Sequence, residues 1–277
     1  MTTAYTDKSF SKASAQRATL SILLGVDSVV YGAIDGNGHL LHAQLTTRAP
    51  EDAPGLSALL KRIEKTHPAF GYTYANTRIG VDSFYLTLTP QRLAETGNDR
   101  LFLQQQAPLP DDLYIGHTVV SEGKLRLSYG HPAALKVWLD RHFTNVAPLP
   151  FGAVLLDAAA RLAPGTQRLH LHVQDQRAHL TLYDGDQLIY HNRFPFQTAK
   201  DFLYYTLLIY DQFGLDPGEV PTYLSGTVLP EGELYRLLYR YVRHLHLAAP
   251  PEGVTFGKDW NPAVAHVFYP LLASLTA

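Results

Sequence analysis

The residues with the clearest capacity for chemistry are histidines that alternate along three consecutive predicted strands. The chain has 13 histidines and no cysteine, which excludes disulfides and thiolate metal sites. If Asp175-Gln176 is a two-residue hairpin turn, His172 lies opposite His179. A following turn centred on Gly185 would bring His179 opposite His191. Adjacent strands are about 4.8 Å apart, so this row of side chains is close enough to share a metal ion.

The surroundings of this histidine row favour a different interpretation. The same face carries His170, Gln174, Arg177 and Thr181, which is typical of a solvated or interface face. It offers no carboxylate as a further ligand or as a support for a metal-bound histidine. We therefore expect a polar face rather than a metal site, and a pH-sensitive surface stays open because protonated neighbours repel. The opposite face is apolar and carries Leu169, Leu171, Val173, Ala178, Leu180, Leu182 and Leu188.

A second candidate set combines arginines and tyrosines on a helix predicted near the C-terminus. It comprises Arg236, Arg240 and Arg243, with Tyr235 and Tyr239 between them. Such a stripe could contact phosphates. However, Glu231 and Glu233 lie at the helix start and the arginines toward its end, where their charges complement the helix dipole. We therefore favour a solvated face.

Composition and charge limit the classes of partner. The 277 residues are 46% hydrophobic and 17% charged, which is typical of one large or two ordinary globular domains. With 23 Lys and Arg against 25 Asp and Glu, the chain has no long-range attraction for nucleic acid or anionic membranes. Residues 1–17 lack the apolar core of a secretory signal, and the apolar run 20–34 is too short to span a bilayer. We expect a cytoplasmic protein.

The elements that must position these residues follow one plan twice. Each half is predicted to contain three consecutive strands, a helix and a further strand. In the first half the strands cover 19–24, 29–34, 40–46 and 78–88, and the helix carries Leu56, Leu59, Leu60 and Ile63. In the second half they cover 168–173, 178–183, 188–194 and 221–225, and the helix begins at Thr198, which caps it with Asp201 three residues on. We predict a flexible N-terminus over 1–14, a first lobe over 15–150 with an inserted subdomain near 90–130, and a second lobe over 151–277.

Three segments carry a family resemblance. Residues 221–227 (PTYLSGT) resemble the strand-to-turn adenosine motif of the actin-like ATPases. Residues 192–205 (NRFPFQTAKDFLYY), supported by 224–226 (LSG) and 84–90 (FYLTLTP), resemble a bacterial family, domain of unknown function 3822. The resemblance covers most of residues 19–250. It implies a duplicated α/β fold of ribonuclease-H-like type, with two lobes that each hold a mixed five-stranded sheet and flanking helices. The family has no established activity to transfer.

The resemblance also implies where a nucleotide would bind. It points to turns at Asp27-Ser28 and Asp175-Gln176 for phosphate and magnesium, and to Ser225-Gly226-Thr227 for adenosine. In actin-like ATPases, glycines in these turns let backbone N–H groups approach phosphates, and the acid positions magnesium through water. Here each turn keeps its acid but lacks the Asp-x-Gly pattern, and the adenosine segment lacks paired glycines.

These degenerate motifs favour a non-catalytic binding or assembly module. The chain also lacks a nucleophile-elbow Gly-x-Ser-x-Gly and a phosphate-binding loop ending in Gly-Lys-Ser/Thr. The alternative is an ATP-binding protein or ATPase that uses a cleft between the lobes. We expect no cofactor, with ATP and magnesium as the alternative. We expect a protein partner that the sequence does not identify, with a homo-oligomer open, and neither a membrane nor a nucleic acid.

Overall fold

Two compact units make up the fold. The computed structural model describes residues 2–48, 56–94, 97–143 and 146–277. Unit 1 contains residues 1–154, 255–260 and 277, and unit 2 contains residues 155–254 and 261–276. Each unit is built on its own mixed sheet.

The sheet of unit 1 has six strands in the order β1-β4-β3-β2-β5-β9. They are β1 (Thr2–Thr6), β2 (Thr19–Leu24), β3 (Ser28–Ile34), β4 (Leu40–Thr47), β5 (Asn76–Val81) and β9 (Leu149–Pro150). The pairs β2–β5 and β5–β9 are parallel and the others antiparallel. Helix α2 (Leu56–Thr66) packs Leu60 and Ile63 against Ile22 and Tyr31 of this sheet. The side chains of Leu56 and Leu59 lie outside the described residues.

The N-terminal segment differs from the expectation of flexibility over 1–14. Strand β1 pairs antiparallel with β4 over its whole length, and helix α1 (Lys12–Ala15) follows it. This pairing satisfies backbone groups along the outer edge of β4, which would otherwise be an open edge. With β1 and β9 included, the sheet has six strands where five were expected.

A second, three-stranded sheet belongs to unit 1. Its order is β6-β8-β7, with β6 (Tyr85–Pro90), β7 (Leu113–Val120) and β8 (Leu125–Pro132). Helices α3 (Asp99–Gln104) and α4 (Ala133–His142) accompany it. The buried Arg126 guanidinium donates from Nε and Nη2 to the two carboxylate oxygens of Asp99, at 3.0 and 2.8 Å. This bidentate pair compensates the burial of both charges.

The sheet of unit 2 has five strands in the order β12-β11-β10-β13-β14. They are β10 (Arg168–Gln174), β11 (Arg177–Asp184), β12 (Gln187–Pro195), β13 (Thr222–Gly226) and β14 (Leu245–Leu247). The helices are α5 (Phe151–Ala160, which begins in unit 1), α6 (Ala199–Gln212), α7 (Glu233–Tyr239) and α8 (Tyr269–Leu275). The predicted meander over 168–194 is confirmed, and leucines from one face of β10 and β11 pack with Phe202 and Ile209 of α6.

The predicted cap of α6 is also confirmed. The Thr198 hydroxyl accepts the backbone N–H of Asp201 at 3.2 Å, and the Asp201 carboxylate accepts the backbone N–H of Thr198 at 2.9 Å. This reciprocal capping box satisfies two backbone donors at the helix start.

Candidate functional site

The turn between β10 and β11 places two of the predicted histidines opposite each other on adjacent strands. Asp175 and Gln176 have φ angles of 52° and 56° and form a two-residue hairpin. Positive φ at both turn positions matches the twist of the flanking strands. His172 therefore pairs with His179, as predicted, and their ring centroids lie 6.1 Å apart.

The third histidine lies at a different register from the one predicted. His179 pairs with Arg193, and His191 pairs with Thr181. The hairpin places Asp184 opposite Gln187, so its turn is centred between residues 185 and 186, which shifts the pairing by one residue from that of a turn centred on Gly185. A bulge between residues 182 and 183 adds a further shift. His191 is consequently diagonal to His179, with ring centroids 6.0 Å apart.

The polar face of this sheet is buried, which corrects the expectation of a solvated face. The buried members are Arg168, His170, His172, Gln174, His179, Thr181 and Ser225. The Ser225 hydroxyl lies 2.8 Å from His170 Nε2 and 2.9 Å from His172 Nδ1. His172 Nε2 lies 3.1 Å from Gln174 Oε1, and His191 Nδ1 lies 2.9 Å from the Thr181 hydroxyl. These hydrogen bonds compensate the loss of water for the atoms that make them, whereas His170 Nδ1 and His191 Nε2 are buried with no hydrogen-bond partner among the described residues.

Burial also fixes the charge of the histidine row. It lowers the pKa of His172 and of His191 to about 4, and holds the pKa of His170 and of His179 well below the ordinary value. The imidazoles are therefore neutral at neutral pH. Within the described ranges, no group of three or more His, Asp or Glu side chains has the geometry of a metal site.

Arg168 is the largest buried side chain of this face, and sequence reasoning missed its role. Its guanidinium donates to four backbone carbonyl oxygens: Ala159 at 3.2 Å, Ala160 at 2.8 Å, and Thr166 and Gly185 at 2.7 Å each. Two of these carbonyls end α5, where a cation is favoured by the helix dipole. The guanidinium also lies 4.8 Å from the ring centroid of Tyr183. Its position at the start of a strand of alternating polar residues was the only signal in the sequence.

The predicted adenosine segment lies beside the β10–β11 turn because Gly226 of β13 pairs with Val173 of β10. Gly226 has a φ of 87°, and a Cβ there would overlap the carbonyl oxygen of Val173. Only glycine permits this close approach. Thr227 donates to the same oxygen from its backbone N–H at 2.8 Å and from its hydroxyl at 3.2 Å.

The remaining predicted turn, Asp27-Ser28, belongs to unit 1. The Asp27 carboxylate accepts from Arg48 Nε at 2.8 Å, and the Asp27 carbonyl accepts the Arg48 backbone N–H at 2.7 Å. Ser28 is fully buried at the start of β3, and its carbonyl accepts the backbone N–H of Gly25 at 2.8 Å. The acid of this turn is therefore held in an ion pair.

The fold and these turns can be set beside known proteins. Residues 7–245 match a family described as "Protein of unknown function (DUF3822)". The chain belongs to this family. The resemblance carried by residues 192–205 and 84–90 is thereby confirmed, and no protein with a curated description matches the chain.

Solved structures show the fold of this DUF3822 protein. A protein of unknown function with an actin-like ATPase fold from Bacteroides thetaiotaomicron is 16% identical, with 97% of this chain and 99% of that chain covered and a TM-score of 0.77. The PilM-PilN type IV pilus biogenesis complex is 16% identical, with coverage of 93% and 97% and a TM-score of 0.62. Ethanolamine utilization protein EutJ from Carboxydothermus hydrogenoformans is 7% identical, with coverage of 93% and 89% and a TM-score of 0.50. The chain has the actin-like ATPase fold that was predicted. Among the described residues, no helix has both the length and the apolar character needed to cross a membrane.

Proposed function

We propose that this DUF3822 protein is a non-catalytic actin-like protein that acts as a binding or assembly module. The observation that carries the proposal is that Asp27, Ser225 and Thr227, three of the predicted nucleotide positions, are hydrogen-bonded within the protein. Phosphoryl transfer depends on donors and metal ligands that are already positioned for phosphate. Groups that are hydrogen-bonded elsewhere can serve a nucleotide only after those bonds break.

In unit 2, the hydroxyl groups of the predicted adenosine segment form hydrogen bonds to strand β10 of the sheet. Ser225 is buried between His170 and His172, and Thr227 donates twice to the carbonyl of Val173. The neighbouring row of neutral imidazoles supplies no positive charge for a polyphosphate. Arg177 stands where the Asp-x-Gly pattern has its glycine, and side chains at Gln176 and Arg177 obstruct backbone approach to phosphate.

In unit 1, the Asp27 carboxylate is paired with Arg48 at 2.8 Å. A magnesium-bound water would compete with this guanidinium for the same carboxylate. The fold itself is compatible with a role in assembly, since it also occurs in the PilM-PilN type IV pilus biogenesis complex.

The test is binding and hydrolysis of ATP with magnesium by the purified full chain. A ligand at a hundredfold its dissociation constant would add about 2.7 kcal/mol to stability, so thermal unfolding reports binding directly. We expect no change in the unfolding temperature and no phosphate release. The matched control is the double variant Asp27→Asn/Asp175→Asn. ATP-dependent stabilisation or turnover that disappears in this variant would overturn the proposal, whereas equal phosphate release from both proteins would identify a contaminating ATPase.

A further inference from the structure

The segment that follows β13 presents large side chains to solvent. Leu229, Tyr239 and Tyr241 are 67%, 60% and 52% exposed. Arg236, Arg240 and Arg243 of the same segment are exposed as well. We call these six residues the Tyr–Arg surface. Tyrosine and arginine are enriched in protein interfaces, where they supply most of the binding energy.

The backbone under this surface is fixed. Leu238 and Val242 lie between the exposed residues in sequence and Leu245 follows them, and all three are buried in the core of unit 2. The backbone N–H of Arg243 donates to the carbonyl of Pro217 at 3.0 Å. The ring of Tyr239 stacks on that of Tyr235 at 5.9 Å. A partner would therefore meet a surface that is already ordered, which lowers the entropic cost of association.

Helix-dipole complementarity does not account for this surface. Helix α7 has seven residues, and its C-terminal end explains a cation at Arg236 or Arg240. Arg243 lies beyond the helix, and neither exposed tyrosine responds to a dipole. Arg236 approaches Glu231 only at 4.0 Å. In the part of the chain that the structure describes, neither Arg240 nor Arg243 has an acidic partner.

The charge pattern identifies the partner. Residues 234–251 contain no Asp or Glu, although the whole chain has a net charge of −2. We propose that the Tyr–Arg surface is the docking site for an acidic segment of a partner protein whose apolar residues pack on the tyrosines. This inference rests on the proposed binding role and names the surface and the chemistry that it recognises. Nucleic acid fits less well, because a net charge of −2 gives the chain no long-range attraction for a polyphosphate backbone, whereas exposed Glu231 and Glu233 repel either ligand alike.

The experiment uses the full chain and two fluorescein-labelled peptides. The probe is a decapeptide with the repeat Glu-Leu-Asp-Phe-Glu, and its control has Gln and Asn in place of the acids. Fluorescence anisotropy should show binding of the acidic peptide about tenfold tighter than of the amide peptide, and weaker binding as salt is raised. The variant Arg240→Ser/Arg243→Ser should lose about tenfold in affinity for the acidic peptide. Arg92→Ser/Arg141→Ser, which removes two exposed arginines elsewhere, should bind like the wild type.

Four results would overturn the assignment: no binding by the wild type, equal affinity for both peptides, an unchanged Arg240→Ser/Arg243→Ser variant, or tighter binding of a fifteen-nucleotide oligothymidylate. Circular dichroism of the variants separates lost binding from lost fold, and we expect unchanged spectra because both arginines are exposed. The ATP assays are independent of this surface. Failure of peptide binding would refute only the assignment of the Tyr–Arg surface, whereas nucleotide turnover would refute the proposed function.

Discussion

Replacing Arg168 by methionine tests whether the buried polar face of unit 2 is structural. The substitution keeps an unbranched apolar stem but removes the guanidinium, which is 1% exposed and donates to four backbone carbonyls. Four hydrogen bonds at a net value of about 1 kcal/mol each amount to about 4 kcal/mol. The loss is partly offset because the substitution also removes the buried charge and with it the free-energy cost of desolvating that charge. We expect Arg168→Met to lower the free energy of unfolding by about 3 kcal/mol.

Urea unfolding followed by far-ultraviolet circular dichroism measures this loss. Arg177→Met, on the adjacent strand β11, is the matched control and should cost less than about 1 kcal/mol, since it has no comparable set of bonds to carbonyls of the described residues. Arg168→Lys keeps the charge but cannot reach four acceptors from one planar group, so it should fall between the wild type and Arg168→Met. A loss below about 1 kcal/mol in Arg168→Met would refute the claim that this guanidinium holds the end of α5 to the sheet.

Three further perturbations address the same unit. The folded-state pKa of His172 and of His191 is about 4, below the ordinary 6.5, so the fold favours the neutral form and the unfolded chain takes up protons first. Their contribution to the free energy of unfolding is complete above about pH 6.5. It is lost as the pH falls toward 4, by about 3 kcal/mol for each histidine. An unfolding free energy that stays constant over this window would contradict the burial argument. Thr198→Ala should lower stability by about 1 kcal/mol through loss of the helix cap, and an unchanged urea midpoint with an unchanged slope would show that the cap contributes nothing. Gly226→Ala should lower the free energy of unfolding by about 3 kcal/mol, because the new Cβ would overlap a neighbouring carbonyl. Gly185 also has a positive φ but has open space around it, so Gly185→Ala should cost about 1 kcal/mol. Equal losses would rule out the overlap as the cause.

Local patterns predicted the elements of unit 2 but not their exact pairing. A two-residue turn at Asp175-Gln176 fixes the β10–β11 register, so the contact between His172 and His179 could be predicted from spacing alone. The prediction for the next pair was wrong because the turn and a bulge each shifted the register of His191 by one residue. A bulge inserts one extra residue into one strand of a pair, and the alternation of polar and apolar residues along the strand does not predict where it occurs.

Burial of the polar face was missed for a related reason. Alternation shows that two faces of a strand differ, but a polar face can be covered when its groups find partners from distant segments. Here Arg168 reaches carbonyls that end α5, and the ring of His170 contacts Tyr269 of α8 at 5.9 Å between centroids. Both contacts join segments that are separate in the sequence. The N-terminal strand β1 was missed likewise, because its stability comes from the β4 edge rather than from its own residues.

The internal bonds of the histidine row bear directly on the proposed function. A buried row of polar side chains can be satisfied either by a ligand or by its own members. In unit 2, Ser225 satisfies one nitrogen each of His170 and His172, Gln174 satisfies the other nitrogen of His172, and Thr181 satisfies one of His191. The row is neutral because burial depresses every pKa in it, so it offers a polyphosphate no cations, although His170 Nδ1 and His191 Nε2 are buried with no hydrogen-bond partner among the described residues. The same hydrogen bonds that stabilise the sheet thus support the proposal that the segment resembling an adenosine motif binds no nucleotide. Under that proposal, the protein presents a fixed outer surface to a partner and does not cycle a nucleotide.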